Sequence, residues 1–138
     1  MRKLGIDYGD ARVGVAITDP LNITVQGLET IQRKGSDKII LKRLDEILSQ
    51  YEIDTIVVGM PLNLKGEKTV RAEVTEQFIH KLKCKYNKLK IVTMDERLTT
   101  VAAHKTMNFL DVNKNKKRDI VDTISAVYIL ETYINRNK

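Results

Sequence analysis

Three acidic residues lie in separate, strongly patterned segments of this 138-residue chain, and their chemistry suits a divalent metal. Asp7 ends a short apolar run, Glu96 follows a second apolar run, and Asp122 lies in an apolar segment with helical spacing. Carboxylates gathered at the ends of buried elements repel one another unless a cation lies between them. Because hard cations such as Mg²⁺ take oxygen ligands and often retain waters and substrate phosphates, the three acids predict metal-assisted hydrolysis of a phosphodiester.

The first two acids also have plain structural explanations. Asp7 is followed two residues later by Gly9, so an Asx-type turn between two strands explains it as well. Glu96 lies between Asp95 and Arg97, and a surface ion pair with Arg97 would account for it. Adjacent side chains diverge in an extended chain, so only one of Asp95 and Glu96 can face a given site.

Asp122 is the acid of the last apolar segment, in Val-Asp-Thr-Ile-Ser-Ala. Ser125 and Ala126, three and four residues on, share its helical face, and their small side chains would let the helix approach a sheet closely. The alternative is an exposed acid in the first helical turn, where the helix dipole favours negative charge. Asp119 fits that alternative better, because it is nearer the predicted helix start.

Positive charge is in excess and is concentrated in two stretches. The net charge is +6 and the isoelectric point is near 9.4, which suits a polyanionic partner. The stretches contain Lys81, Lys83, Lys85, Lys88 and Lys90, and Lys114, Lys116, Lys117 and Arg118. Either stretch alone is typical of a solvated helix end or loop. Together, with the second just before Asp122, they favour nucleic acid as the partner.

The composition predicts one globular domain over residues 1–138 in a reducing, cytoplasmic environment. The length suits a single domain, and 42% hydrophobic with 30% charged residues is ordinary for a soluble protein. The sequence shows neither a signal peptide nor the roughly 20 apolar residues needed to cross a bilayer. Cys84 is the only cysteine, so no internal disulfide forms.

Hydrophobic periodicity predicts the element order βββαβαβαα. Strands are expected over residues 4–7, 13–17, 24–31, 55–59 and 89–94. Helices are expected from Ser36 to 51, over 70–82 and 99–107, and from about 119 to 134, with a loop over 108–117. This order predicts an α/β fold: a five-stranded mixed sheet with three antiparallel opening strands, then parallel strands, flanked by helices on both faces. Asp7 and Glu96 would end parallel strands, where sites gather in such sheets.

Four segments, residues 7–16, 59–63, 95–100 and 121–127, closely resemble the YqgF (RuvX) family of the ribonuclease H-like superfamily. The resemblance covers essentially the whole chain, in order and with matching spacing. It departs from the family pattern at Asp10-Ala11, where a Thr/Ser-Lys or Lys-Arg type pair is common, and at Asp119, in a region that is usually basic.

The resemblance implies a metal-dependent nuclease with a ribonuclease H-like fold. It assigns Asp7, Glu96 and Asp122 as catalytic residues and as ligands of one or two Mg²⁺ or Mn²⁺ ions. Phosphate contacts are expected from basic residues near these acids, namely Arg12, Arg97, Lys116, Lys117 and Arg118. The family's proposed role is processing of the 5′ end of pre-16S ribosomal RNA in ribosome biogenesis, and an earlier description is a Holliday junction resolvase.

Several alternatives stay open from the sequence. Asp7-x-Gly9 also occurs in actin-like ATPases, although 138 residues supply only one of their two lobes. A non-catalytic nucleic-acid-binding adaptor would explain the basic stretches but not the three acids. No apolar stripe marks a dimer face, so a monomer or weak homodimer acting on pre-rRNA is favoured over a resolvase of branched DNA. Tyr8 would either stack on a base or lie in the interior, and His80 and His104 are expected at the surface.

Overall fold

The computed structural model describes residues 1–9, 11–61, 65, 69–95 and 114–136, with side chains placed from residue 123 onward in the last range. The strands are β1 (Arg2–Tyr8), β2 (Arg12–Thr18), β3 (Val25–Gln32), β4 (Ile53–Met60) and β5 (Lys90–Asp95). The helices are α1 (Asp37–Gln50), α2 (Val70–Lys85) and α3 (Lys114–Arg136).

The five strands form one mixed sheet in the order β3-β2-β1-β4-β5, which confirms the predicted architecture. β1, β2 and β3 pair antiparallel through short connections; the hairpin between β1 and β2 is closed by the Gly9 N–H, which donates to the Arg12 carbonyl at 2.9 Å. β4 pairs parallel with β1, and β5 pairs parallel with β4, because α1 and α2 supply the crossovers that parallel neighbours require. The carboxyl ends of β1, β4 and β5 therefore lie at one edge of the sheet.

Alternation along β1 divides the protein into two apolar layers. Leu4 and Ile6 are fully buried in the larger layer, which includes Leu44 of α1 and Phe78 of α2. Gly5 faces the other way, toward α3, where Ala126 belongs to a smaller buried cluster. Successive strand residues point to opposite faces, so Asp7 shares the face of Gly5. The sheet thus carries α1 and α2 on one side and α3 on the side of Asp7.

The starts of α1 and α2 show the local rules that the sequence predicts. Ser36, where the helix was predicted to start, is the N-cap of α1, and its hydroxyl accepts a hydrogen bond from the Lys38 N–H at 3.2 Å. Thr69 caps α2 in the same way, accepting from the Ala72 N–H at 3.3 Å. Both caps follow strands that end at the carboxyl edge of the sheet, so both helices begin beside the predicted site.

The start of the last helix differs from the prediction. Residues 114–117 were expected in a loop and the helix from about 119, but α3 begins at Lys114. The segment is polar, which resembles a loop, yet it has no glycine or proline and its three lysines are good helix formers. The rest of the predicted loop and the predicted helix over 99–107 lie outside the described residues. Within the described part of the chain, no helix has the length and apolar character to span a membrane.

Candidate active site at the carboxyl edge of the parallel strands

Asp7 is a nearly buried carboxylate, 9% exposed, one residue from the end of β1. Its partner on β2 is Gly14, and the β1–β4 register, which pairs Ile6 with Val58, places Gly59 next to it on β4. Neither neighbour has a side chain that could fill the space beside the carboxylate. Glycine in a strand often marks a place where another group approaches the backbone closely, so the two glycines are compatible with a ligand beside Asp7.

Helix α3 lies unusually close to this face because small residues meet it. A Cβ on Gly5 would lie 2.9 Å from both the Ala126 carbonyl oxygen and the Leu130 Cβ, so only glycine fits there. On β3, the Thr30 hydroxyl is 2.8 Å from the Thr123 hydroxyl. These contacts fix the distance of α3 from the sheet and the direction in which it crosses the strands.

The same contacts place the backbone of Asp122 near Asp7. Residue 122 precedes Ala126 by four positions, so both occupy one side of the helix. The next residue, Thr123, reaches Thr30, and Thr30 pairs with Gly14 in the row of the sheet that contains Asp7. The chain thus brings position 122 to the level of Asp7 on the same face. The Asp122 side chain itself is outside the described atoms.

The alternative explanation for Asp122 does not fit this helix. An acid that serves the helix dipole lies in the first turn, but α3 begins at Lys114 and its first turn has no acid. Both Asp119 and Asp122 therefore lie beyond the first turn. The prediction that Asp119 marks the helix start is wrong, because the helix begins five residues earlier.

Strand β5 distinguishes between the two acids at its end. Met94 pairs with Gly59 and packs in the cluster of Ala126, so it lies on the face of Asp7. Asp95 pairs with Met60 and is exposed on the opposite face. The sequence predicted that only one of the two adjacent acids faces the site, and in the structure Asp95 lies on the face away from Asp7. Glu96, the predicted ligand, and Arg97 lie outside the described residues.

Those predicted phosphate-binding residues that the structure describes lie at the edge of the sheet near Asp7. Arg12 begins β2, opposite Gly9, and alternation with Gly14 puts it on the face of Asp7. Lys116, Lys117 and Arg118 lie in the first two turns of α3, ahead of residue 122, with side chains outside the described atoms. At 1.5 Å per residue, their backbone extends about 6–9 Å beyond that position along the helix axis.

Tyr8 is an interior aromatic rather than a surface for stacking on a base. It is 4% exposed, its ring stacks on Phe78 at 4.2 Å, and its hydroxyl donates to Asp37 at 2.6 Å. Burial, together with this hydrogen bond to a carboxylate, raises the pKa of Tyr8 far above its usual value. The hydroxyl therefore remains protonated and keeps its role as a donor.

Asp37, the first residue of α1, collects three donors. Besides Tyr8, it accepts from Arg33 Nε at 2.9 Å and from Lys81 Nζ at 2.8 Å. Burial favours the neutral acid, but the hydrogen bonds from Lys81, Tyr8 and Arg33 outweigh it and lower the pKa of Asp37. Asp37 is also the acid of the first turn of α1, where the helix dipole favours negative charge. The network joins the start of α1 to the end of β1, next to Asp7.

The lysines of the first basic stretch, residues 81–90, do not gather at the edge of the sheet where Asp7 lies. Lys81 and Lys85 form ion pairs with Asp37 and Asp45, at 2.8 and 2.9 Å. The other three lysines lie around the end of α2 and the start of β5, at the opposite edge of the sheet: Lys83, Lys88 and Lys90. Their clustering in sequence is therefore not a cluster around the acids.

The donors assigned to a metal fit a hard cation. Carboxylate oxygens suit Mg²⁺ or Mn²⁺, and Asp7 is a carboxylate in a nearly buried position with Gly14 as its strand partner. Of the three predicted ligands, only Asp7 has a described side chain, and among the residues that the structure describes no group of three His, Cys, Asp or Glu side chains could hold an ion. His80 is exposed on α2, as expected, 3.6 Å from the Cys84 sulfur; His104 lies outside the described range.

Known proteins resemble this chain over its whole length. Residues 1–136 match the model of the RuvX family, described as "Holliday junction resolvase". A relative from Ruminiclostridium cellulolyticum, named "Putative pre-16S rRNA nuclease", is 52% identical over 99% of this chain and 95% of its own. A relative of the same name from Acetivibrio thermocellus is 46% identical, over 98% of this chain and 96% of its own.

Two solved structures share the fold at low sequence identity. The fowlpox virus Holliday junction resolvase aligns over 100% of both chains with a TM-score of 0.60 and 12% identity. The Thermus thermophilus RuvC structure, in complex with a Holliday junction substrate, aligns over 99% of this chain and 96% of its own, with a TM-score of 0.59 and 11% identity. The fold is therefore the ribonuclease H-like fold of these resolvases, and the match of residues 1–136 shows that this chain belongs to the RuvX (YqgF) family.

Proposed function

We propose that this protein is a divalent-metal-dependent nuclease that hydrolyses phosphodiester bonds in the cytoplasm, with the 5′ end of pre-16S ribosomal RNA as its substrate. The observation that carries the proposal is the Asp7 carboxylate, nearly buried at the end of β1 between two strand positions occupied by Gly14 and Gly59. A buried carboxylate is costly unless a cation or hydrogen-bond donors offset its charge, and a bound metal ion would supply part of that compensation. The names of the relatives support RNA as the substrate.

The ligands of the metal would be Asp7, Glu96 and Asp122. β1 and β5 are separated by β4, so their backbones are about 10 Å apart. The residue of β4 that lies between Asp7 and Met94 is Gly59, so no side chain of β4 stands between carboxylates that reach inward from the two flanking strands. When bound, Mg²⁺ or Mn²⁺ acts as a Lewis acid on the phosphate and lowers the pKa of a water nucleophile.

The basic residues would hold the substrate strand in place. Arg12 lies on the face of Asp7 and at the same edge, which suits a contact with a phosphate next to the scissile bond. Arg97, Lys116, Lys117 and Arg118 would extend these contacts on the far side of the acids. Such contacts position a strand without reading its sequence, so the choice of cleavage site depends on RNA structure or on other contacts.

A second candidate function is resolution of Holliday junctions, which the description of the matching family model favours. Paired cleavage of a four-way junction needs two sites in a dimer, whereas processing of one RNA end needs only one. We therefore propose a monomer or weak homodimer that acts on RNA. A binding adaptor without catalysis would not require the buried acid at position 7.

One experiment compares these functions directly. A pre-16S RNA fragment that spans the 5′ boundary and a four-way DNA junction are incubated with equal amounts of protein and Mg²⁺. We expect cleavage of the RNA fragment, and loss of cleavage with excess chelator or in the Asp7→Asn variant. Preferential cleavage of the junction would support the resolvase instead. Undiminished cleavage of either substrate in excess chelator would refute the metal mechanism.

A further inference from the structure

We propose that Lys34, Lys38 and Lys42, here called the α1 lysine stripe, form a second contact surface for the phosphates of the substrate strand, on the side of the sheet opposite Asp7. This inference rests on the proposed nuclease function and extends it, because it identifies where the strand runs after it leaves the acids. Lys38 and Lys42 are one helical turn apart on α1, and Lys34 lies in the turn just before the helix. All three side chains are exposed.

The stripe has charge that no acid of α1 neutralises. Asp37 is occupied by Tyr8, Arg33 and Lys81, so it has three donors already. Asp45 is bound by Lys85 and Tyr86. Glu46, one turn from Lys42, is bound by Arg43 at 2.6 Å. Within the described part of the chain, the three lysines of the stripe make no ion pair or side-chain hydrogen bond.

The lysines of α1 lie where the helix dipole does not favour them, although Asp37 in the same first turn is favourably placed. Cations stabilise the last turn of a helix and acids stabilise the first, because of the helix dipole. In α1, Lys38 lies in the first turn and Lys42 follows in the second, while the last turn has no basic residue. Lysines near a helix start are unfavourable, and no ion pair with a described residue compensates for those of the stripe. Such an uncompensated placement indicates that the lysines serve a function other than folding, such as binding a ligand.

The stripe starts at the same edge of the sheet as the candidate active site. The Arg33 N–H donates to the Ala11 carbonyl at 2.9 Å, which fixes the turn containing Lys34 against the β1–β2 hairpin. The hydrogen bond between Tyr8 and Asp37 holds the first turn of α1 at the end of β1. A strand bound at Asp7 and Arg12 could therefore pass over this hairpin and reach the stripe on the other layer.

The chemistry of the stripe suits phosphates better than an acidic protein surface. The three unpaired ammonium groups offer point charges. All three residues between Lys38 and Lys42 are apolar, but Ile40 is buried and Leu41 is partly buried, so the stripe offers little area for hydrophobic contact. Only Ile39 of these is exposed, at 40%. Phosphate contacts by lysine depend on charge and tolerate variation in sequence, which matches a strand that is only being held.

The test measures the salt dependence of binding without cleavage. Asp7→Asn protein, with and without the triple change Lys34→Gln/Lys38→Gln/Lys42→Gln, is titrated in chelator against a fluorescein-labelled single-stranded RNA of about 20 nucleotides. Each lost phosphate contact on a single strand lowers the slope of log K against log salt concentration by about 0.7, so three contacts lower it by about 2. The affinity gap between the two proteins should then be about 16-fold larger at 50 mM than at 200 mM salt.

The matched control replaces three other exposed lysines, in Lys83→Gln/Lys88→Gln/Lys90→Gln, at the opposite edge of the sheet. It removes the same charge, so a general electrostatic effect would lower both slopes equally. Thermal denaturation is a second readout. Because lysines near the start of α1 do not help the helix, we expect the stripe variant to keep or raise its melting temperature while it loses affinity.

The outcomes separate this inference from the proposed function. A slope that falls by about 2 for the stripe variant and by much less for the control supports the inference. This change in slope supports the inference even when the wild-type protein cleaves no RNA. Absence of cleavage would refute the proposed nuclease function but not the binding surface. Equal slopes for all three proteins, or equal losses in stripe and control variants, overturn the inference even when cleavage is robust.

Discussion

Gly5 of β1 and Ala126 of α3 lie in direct backbone contact, so close that a Cβ on Gly5 would be 2.9 Å from the Ala126 carbonyl oxygen. This contact joins the strand that carries Asp7 to the helix that carries Asp122. Gly5 and Asp7 are two positions apart on β1, and one helical turn separates Ala126 from Asp122. The distance between the two acids therefore depends on the absence of a side chain at residue 5.

Gly5→Ala should destabilise the protein and reduce cleavage together. The carbonyl is backbone and cannot rotate away, so α3 has to shift, at a cost of about 1–3 kcal/mol. Urea denaturation measures the loss, and cleavage of the pre-16S fragment measures the effect on the site. Gly27 supplies the control, because a Cβ there would meet the Thr123 methyl group, which a second change can remove. Gly27→Ala should be partly rescued by Thr123→Ser, whereas an unchanged stability for Gly5→Ala would contradict the close packing.

The two acids at the end of β5 should differ sharply in their effect on activity. Asp95 lies on the face opposite Asp7, so Asp95→Asn should leave most of the cleavage rate intact. Glu96→Gln should remove it, because Glu96 is the remaining acid of the pair in the proposed ligand set. Both changes remove one negative charge from adjacent positions, which makes each the control for the other. A larger loss from Asp95→Asn would show that the strand alternation assigns the wrong acid.

Local patterns in the sequence were sufficient to predict the sheet and the position of Asp7. The apolar runs define the strands, and short turns with Gly9 and with Pro20 force the first three into antiparallel neighbours. The orientation of Asp95 away from the face of Asp7 also follows from strand alternation alone. These features are visible because each depends on residues close together in sequence.

Contacts between distant residues could not be predicted in the same way. Asp37 binds Tyr8, 29 positions before it in the sequence, and Lys81, 44 positions after it. No local pattern in the sequence indicates either partner. Helix α3 began earlier than predicted because polar residues without glycine or proline are compatible with both a loop and an exposed helix. The charge imbalance on α1 emerged only once Arg43, Lys81 and Lys85 were seen to occupy its acids.

Asp37 should make stability depend on pH in the acidic range. Hydrogen bonds from Lys81, Tyr8 and Arg33 lower its folded pKa despite burial, so the ionised form stabilises the fold. A group with a lowered folded pKa contributes fully above its unfolded pKa, about 3.9 for Asp, and the contribution is lost as pH falls toward the folded value. The melting temperature of the wild type should therefore drop below about pH 4 by more than that of Asp37→Asn.

At neutral pH, Asp37→Asn should cost about 1–3 kcal/mol, since it weakens three hydrogen bonds to a charged acceptor. Tyr8→Phe is the matched variant, because it removes one donor and leaves the ring stacked on Phe78. Tyr8→Phe should lower the free energy of unfolding by less than Asp37→Asn does. The fall of its melting temperature at acidic pH should stay close to that of the wild type. Identical pH profiles for wild type and Asp37→Asn would contradict the role assigned to Asp37.

Ser125 should be a position where alanine is at least as stable as the native residue. Its side chain is 1% exposed, and its hydroxyl has no hydrogen-bond partner among the residues that the structure describes. A buried hydroxyl without a partner costs about 1–3 kcal/mol, so Ser125→Ala should leave the free energy of unfolding unchanged or raise it. Thr75 is the control, since it is equally buried but its hydroxyl donates to the Arg71 carbonyl at 2.8 Å. Thr75→Val should lower stability by about 1 kcal/mol, and a comparable loss for Ser125→Ala in urea denaturation would show that its hydroxyl is satisfied.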